Sequence, residues 1–191
     1  MESLLDVSDT VLCVVDVQPG FLGKLKPKTA DEVVARIRWL TRVSVALGVP
    51  VVVTEEDSPY NGATVEPVLS ALPPGTAIHD KTYFGLADQP DILGAVERTR
   101  RRTAVLCGLE TDVCVAHSAL GLLDREFRVA VVADAVASPG MAHQFGIDRL
   151  RETGVTLLSA KGVAFEWLRT VGRSEELDEV LSSEVPPGVI L

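Results

Sequence analysis

Asp16, Lys81 and Cys114 bring a carboxylate, an ammonium and a thiol, and each stands near the point where a run of apolar residues stops. Asp16 lies at the end of VLCVVDV, Lys81 closes AIHDK, and Cys114 follows TAVLCG at the predicted first turn of a helix. A carboxylate inside an apolar run is costly to bury without a partner, so Asp16 calls for a cation. A cysteine reacts as its thiolate. A free thiol titrates near about 8.5, and each unit of lowering takes about 1.4 kcal/mol. A helix N-terminus contributes about 0.3–1 kcal/mol, whereas an ammonium about 4 Å away, at an effective dielectric near 20, contributes about 4 kcal/mol. The expectation is that Lys81 keeps Cys114 ionised and that Asp16 carries its proton to a leaving amine. Backbone N–H groups at the helix start would hold an oxyanion. Taken singly, each residue has a plainer reading: a loop-capping acid, a surface lysine, a small buried apolar side chain. Their conjunction is what points to chemistry.

The elements that must position these groups alternate along the chain. Buried strands are predicted at 11–17, 49–54, 77–81, 103–108, 128–136 and 155–159. Between them the apolar spacing predicts helices. One starts at a capping box formed by Thr29 and Glu32 and ends at Gly48. A short one lies near 65–71. Another opens at Asp88 and Pro90 and ends near Arg100. A helix over 112–126 follows the fourth strand. Ser138 and Pro139 form a cap-plus-N1 pair for a helix running to Gly154. A helix over 161–170 and an acidic one from Ser174 complete the pattern. Continuously apolar strands separated by helices mean a parallel sheet covered on both faces, a doubly wound three-layer α/β/α domain. Ligands of such sheets bind beyond the carboxyl ends of the strands, where the three residues fall. The first strand is followed by DVQPGF and not by the glycine pattern of a dinucleotide site.

The bulk properties narrow the classes. The chain has 191 residues, 47% hydrophobic and 24% charged, which fits a single globular domain spanning 1–191. Net charge is −9, so a nucleic-acid partner is not expected. The arginines at 98 and 100–102 read as solvated charge near a helix C-terminus. The stretch MESLLDVSDT lacks a basic signal-peptide region, and no apolar run is long enough to span a bilayer. Three cysteines do not make a disulfide framework. A cytoplasmic protein with no membrane partner is expected. His79, His117 and His143 show no metal-ligand spacing, so neither metal nor cofactor is expected.

VVDVQPGF, DKTYF and CGLETDVCVAHSALGLLDREFRVAVVADAVAS resemble the isochorismatase-like cysteine hydrolases, and TDVCV is the most specific part. The similarity runs over residues 8–170; the tail, 172–191, lies outside it and is placed outside the core. The resemblance implies six parallel strands in the order 3-2-1-4-5-6 and a catalytic triad of Asp16, Lys81 and Cys114. It implies a cis peptide between Leu109 and Glu110 that, with Cys114, helps orient the oxyanion donors. It also implies a homo-oligomer. Nicotinamidases of the family carry a metal-binding D-x-H after the second strand, where this chain reads TEEDSPYNGATVEP without a histidine. Isochorismatases proper lack the nucleophilic cysteine, which argues against isochorismate as substrate. The loop is more similar to the metal-free, poorly characterised branch. The expected activity is metal-independent hydrolysis of a small amide or related C–N bond through an acyl-enzyme. Phe21, Tyr60, Tyr83 and Phe84 are candidates for the substrate pocket, with ordinary packing as the alternative.

Three other readings stay open at this level. Cys114 and His117 are three apart on one helix and could form a dyad that leaves Asp16 and Lys81 a bare ion pair. Cys114 could be a redox thiol, although Cys13 and Cys107 sit inside strands and offer no resolving partner. The chain could be a non-catalytic assembly subunit using VPPGVIL and helix 31–47. A geometric demand applies to the triad: with strand three two places from strand one, Lys81 has to lean back across the sheet edge.

Overall fold

The strands form because their residues can be buried on both sides. All six residues of β1 (Thr10–Val15) are buried, and so are all seven of β4 (Thr103–Leu109). The computed structural model describes residues 4–191, so the first three residues of the acidic N-terminal stretch lie outside the described residues. After β1 come α1 (Pro19–Leu22), α2 (Pro27–Ala46), β2 (Val51–Glu56), α3 (Ser58–Asn61), α4 (Glu66–Leu69), β3 (Ile78–Lys81) and α5 (Pro90–Arg98). Beyond β4 lie α6 (Ala116–Leu123), β5 (Arg128–Ala137), α7 (Ala142–Glu152), β6 (Thr156–Leu158), α8 (Ala160–Leu168), α9 (Val171–Glu176) and α10 (Asp178–Ser182). The six strands form one sheet in the order β3-β2-β1-β4-β5-β6, and every pairing is parallel.

Alternation along each strand splits the core between two faces. Leu12 and Val14 of β1 face Ile37 and Leu40 of α2 and Val163 and Trp167 of α8. Val11, Cys13 and Val15 face Ile92 of α5, Ala119 of α6 and Leu150 of α7. Cys13 and Cys107 are buried on opposite faces, which is why neighbouring strands carry them without a disulfide. Burial pushes the Cys13 thiol up to about 12, so it is inert at neutral pH.

Several helix starts differ from the sequence expectation, each for a local reason. α2 opens at Pro27, whose fixed φ suits a first turn, and not at a Thr29 capping box. Asp88 closes a 3-10 turn (Leu86–Asp88), and Gln89 stands at the start of α5. A π-helical turn, Thr111–Val115, precedes α6. Ser138 does not cap α7: its hydroxyl donates to Asp112 Oδ1 (2.6 Å), tying the end of β5 to that π turn. Part of the tail packs onto the core, with Leu177 and Val180 half-buried against it. Leu181 is buried with α2, and Trp39 Nε1 donates to its carbonyl at 3.0 Å.

Two backbone positions bring strand ends together over the sheet edge. Gly108 has φ +126, and a Cβ there would lie 1.9 Å from the Val15 carbonyl oxygen. Only glycine lets β4 pass β1 this closely. Asp16 has φ +50, a left-handed conformation that Asp tolerates better than most residues. Its N–H donates to the Thr54 carbonyl (3.0 Å). Among the described residues, no helix is long and apolar enough to cross a membrane.

Candidate active site

The left-handed turn at Asp16 leaves its carboxylate wholly buried above the ends of β1 and β2. Thr54 donates its hydroxyl proton to Oδ1 at 2.7 Å. Oδ2 is paired with Lys81 Nζ at 2.8 Å, both side chains having no solvent exposure. At this distance the contact is a charge-assisted ion pair that holds Oδ2 in place. The demand that Lys81 lean across β2 is met. Lys81 is the last residue of β3 and sits in register with Glu56, the last residue of β2. Its stem crosses above that strand end, and Nζ also donates to the Tyr83 carbonyl at 3.1 Å.

Cys114 lies in the π turn and is 1% exposed. Its Sγ lies within 4.8 Å of carboxylate oxygens of both Asp16 and Glu56. The structure therefore brings Asp16, Lys81 and Cys114 to one place. It also adds Glu56, which the sequence reading passed over. The thiol donates to Glu56 Oε2 at 3.0 Å, and the same oxygen lies 3.5 Å from Lys81 Nζ. A signal was available: Glu56 ends a strand at the same sheet edge. The sequence reading ends the strand at Thr54 because EEDSPYNGA reads as a polar loop, whereas β2 runs on to Glu56.

The electrostatics correct one expectation. Lys81 alone would lower the Cys114 thiol. Burial pushes it well above the ordinary thiol range, Asp16 and Glu56 push the same way, and Lys81 opposes them only in part. One ammonium is shared by two carboxylates, so Lys81 does not by itself bring the thiol down. Burial also raises Asp16 above the usual carboxylate range, against the lowering effects of Lys81 and Thr54.

The remaining candidates divide. Leu109 is buried, and the Leu109–Glu110 peptide is cis. The Glu110 side chain turns away from the thiol to Lys24 (3.3 Å). The Glu110 carbonyl accepts from the N–H groups of Val113 (3.2 Å) and Val115 (3.0 Å). Phe21 is buried in the core under Lys24. Tyr60, Tyr83 and Phe84 are exposed, Tyr60 at 85%. His117 is exposed and meets Phe84 edge-on, so the dyad alternative has no geometric support. A neighbouring cavity of about 430 Å³ is lined by Lys24, Lys26, Ser138 and His143 and by none of the cluster. The sulfur and two carboxylates are spaced closely enough to hold a metal ion. The Lys81 ammonium already stands beside both carboxylates, however, and supplies the positive charge a cation would bring.

A doubly wound parallel sheet with a buried acid–lysine–thiol cluster beyond its strand ends defines a three-layer α/β protein of the isochorismatase-like hydrolase fold. The isochorismatase domain family matches residues 10–162, and the chain belongs to that family. The secreted isochorismatase effector Isc1 of Phytophthora sojae is 31% identical over 175 residues, 87% of this chain and 80% of that protein. Isochorismatase domain-containing protein 2 of Bos taurus is 30% identical over 186 residues, 95% and 87% of the two chains. Among solved structures, YcaC from Pseudomonas aeruginosa with hexane-2,5-diol and covalent acrylamide aligns with a TM-score of 0.88 and 25% identity, covering 97% and 94%. The Escherichia coli YcaC gene product, described as an octameric hydrolase of unknown specificity, aligns with a TM-score of 0.86 and 25% identity, covering 97% and 93%.

Proposed function

We propose that the chain is a metal-independent cysteine hydrolase that cleaves a small amide or related C–N bond on Asp16, Lys81 and Cys114. The observation that carries this reading is the buried Lys81–Asp16 pair at 2.8 Å with the Cys114 sulfur beside it. As the sulfur attacks the substrate carbonyl, its proton passes to Asp16, whose raised proton affinity suits a base. An S–C bond forms, and the oxyanion is held by backbone N–H groups that we assign to Glu110 and Cys114; those of Val113 and Val115 are taken by the Glu110 carbonyl. Asp16 returns the proton to the leaving nitrogen as the C–N bond breaks. Water, deprotonated by Asp16, then cleaves the thioester and the proton returns to sulfur. Lys81 offsets the negative charge as it shifts between Asp16 and the sulfur.

The covalent acrylamide on the Pseudomonas aeruginosa relative supports a reactive nucleophile in this fold, since acrylamide couples readily to thiols. The octameric Escherichia coli relative, with Met141, Phe145 and Val171 exposed here, supports a homo-oligomer. Three unpaired cysteines support a cytoplasmic setting. Cys13 and Cys107 are buried inside strands and offer Cys114 no resolving partner, which speaks against a redox pair.

The test is a panel of small amides and carbamates with Cys114→Ala and Asp16→Asn as controls, acid-quenched for mass spectrometry. Turnover with acylation at Cys114, lost in both variants, is the expected result. Hydrolysis that persists in Cys114→Ala would overturn the reading.

A further inference from the structure

Glu56 is the member of the cluster that a molecule arriving from solvent meets. Its side chain is 16% exposed, against none for Asp16 and Lys81 and 1% for Cys114. Its backbone is clamped on both sides. The N–H donates to Gln18 Oε1 at 2.8 Å. The carbonyl accepts from Gln18 Nε2 (3.1 Å) and Asn61 Nδ2 (2.9 Å). The carboxylate therefore swings from a fixed point, and it takes the thiol's hydrogen bond at 3.0 Å. The groups facing it are Asp16 from the turn after β1, Lys81 from β3 and Cys114 from the π turn. Of the other acids in that turn segment, Glu110 is paired with Lys24 and Asp112 with Ser138. The cluster thus holds two carboxylates and one ammonium, an unbalanced negative charge at its only exposed edge.

We infer that Glu56 is a positioning and specificity residue: it holds Cys114 as a thiol at rest and releases it when a substrate presents a cationic or N–H-rich nitrogen beside the scissile carbonyl. Such a nitrogen takes over the Glu56 carboxylate and neutralises its field at the sulfur. The thiol proton, no longer held by Glu56, is free to move to Asp16. A substrate with an anionic group in that place meets the unbalanced charge and is excluded. This rests on the hydrolase reading for the word substrate, but the test reads the thiol alone and needs no turnover.

The rate of iodoacetamide alkylation at Cys114, followed by peptide mass spectrometry across pH, gives the thiol's apparent midpoint. Glu56→Gln keeps the shape and removes the charge. Its midpoint should fall by about one unit or more, giving about tenfold faster alkylation below the midpoint. Glu56→Asp keeps the charge and should stay near the parent. In the parent protein, the cationic reagent 2-aminoethyl methanethiosulfonate should label Cys114 about tenfold faster than its 2-sulfonatoethyl counterpart after normalisation to a simple thiol. Glu56→Gln should erase that preference. An unchanged midpoint in Glu56→Gln overturns the proposal, and so does an absent cationic preference in the parent, which requires no variant to fold. Hydrolysis that survives Cys114→Ala would instead overturn the hydrolase reading and leave the Glu56 result standing.

Discussion

Replacing Lys81 with methionine isolates the central electrostatic claim, because it keeps the stem volume and removes the charge. At an effective dielectric near 20, a unit pair at the observed 2.8 Å interacts by about 6 kcal/mol. Desolvation of both ions offsets much of that, so the informative quantity is the cost of leaving a buried carboxylate alone, about 3–5 kcal/mol. For a chain of this size that is a fall of about 6–20 °C in Tm at pH 7.5. The pH dependence has a definite sign. The Asp16 carboxyl is already raised in the folded state, and loss of Lys81 raises it further. A folded-state value above the unfolded one penalises folding increasingly as pH rises from the ordinary carboxylate range toward the folded value. The deficit of Lys81→Met should therefore be small near pH 4.5 and large at pH 7.5. Lys81→Met combined with Asp16→Asn should recover more than half of it. Thermal melts at the two pH values measure this. A Tm within about 2 °C of the parent at pH 7.5, or an equal deficit at both pH values, would refute the reasoning.

Other expectations follow from single contacts. Thr54→Val removes the hydroxyl donor to Asp16 Oδ1 at 2.7 Å, and should cost about 1.5–3 kcal/mol, read as a lower denaturation midpoint with unchanged slope. Gly108→Ala forces a Cβ to 1.9 Å from the Val15 carbonyl oxygen at φ +126; a loss above about 4 kcal/mol, or failure to fold, is expected by circular dichroism, and a parent-like melt would contradict the close approach. Trp39→Phe removes the hydrogen bond to the Leu181 carbonyl, and should lower stability by about 1 kcal/mol and speed proteolysis of the tail.

The sequence by itself determined the architecture. Unbroken apolar runs such as VLCVV and TAVLC can be satisfied only by strands buried on both faces, and the helical spacing between them forces parallel connections. It also placed Asp16, Lys81 and Cys114 at one sheet edge, because strand ends in a parallel sheet share an edge whatever the loops do. Helix starts were legible less well, since a proline in the first turn or a side chain bonded elsewhere, as Ser138 is to Asp112, outweighs a local capping pattern. Only the tertiary structure decided what surrounds the Cys114 sulfur and in which direction that pushes its thiol. A pKa sums burial and every nearby charge: burial acts first, Asp16 next, and Glu56 adds to them from a residue 58 positions away through strand register. Periodicity records which side of an element is apolar; it carries no measure of the distance between charges on different strands.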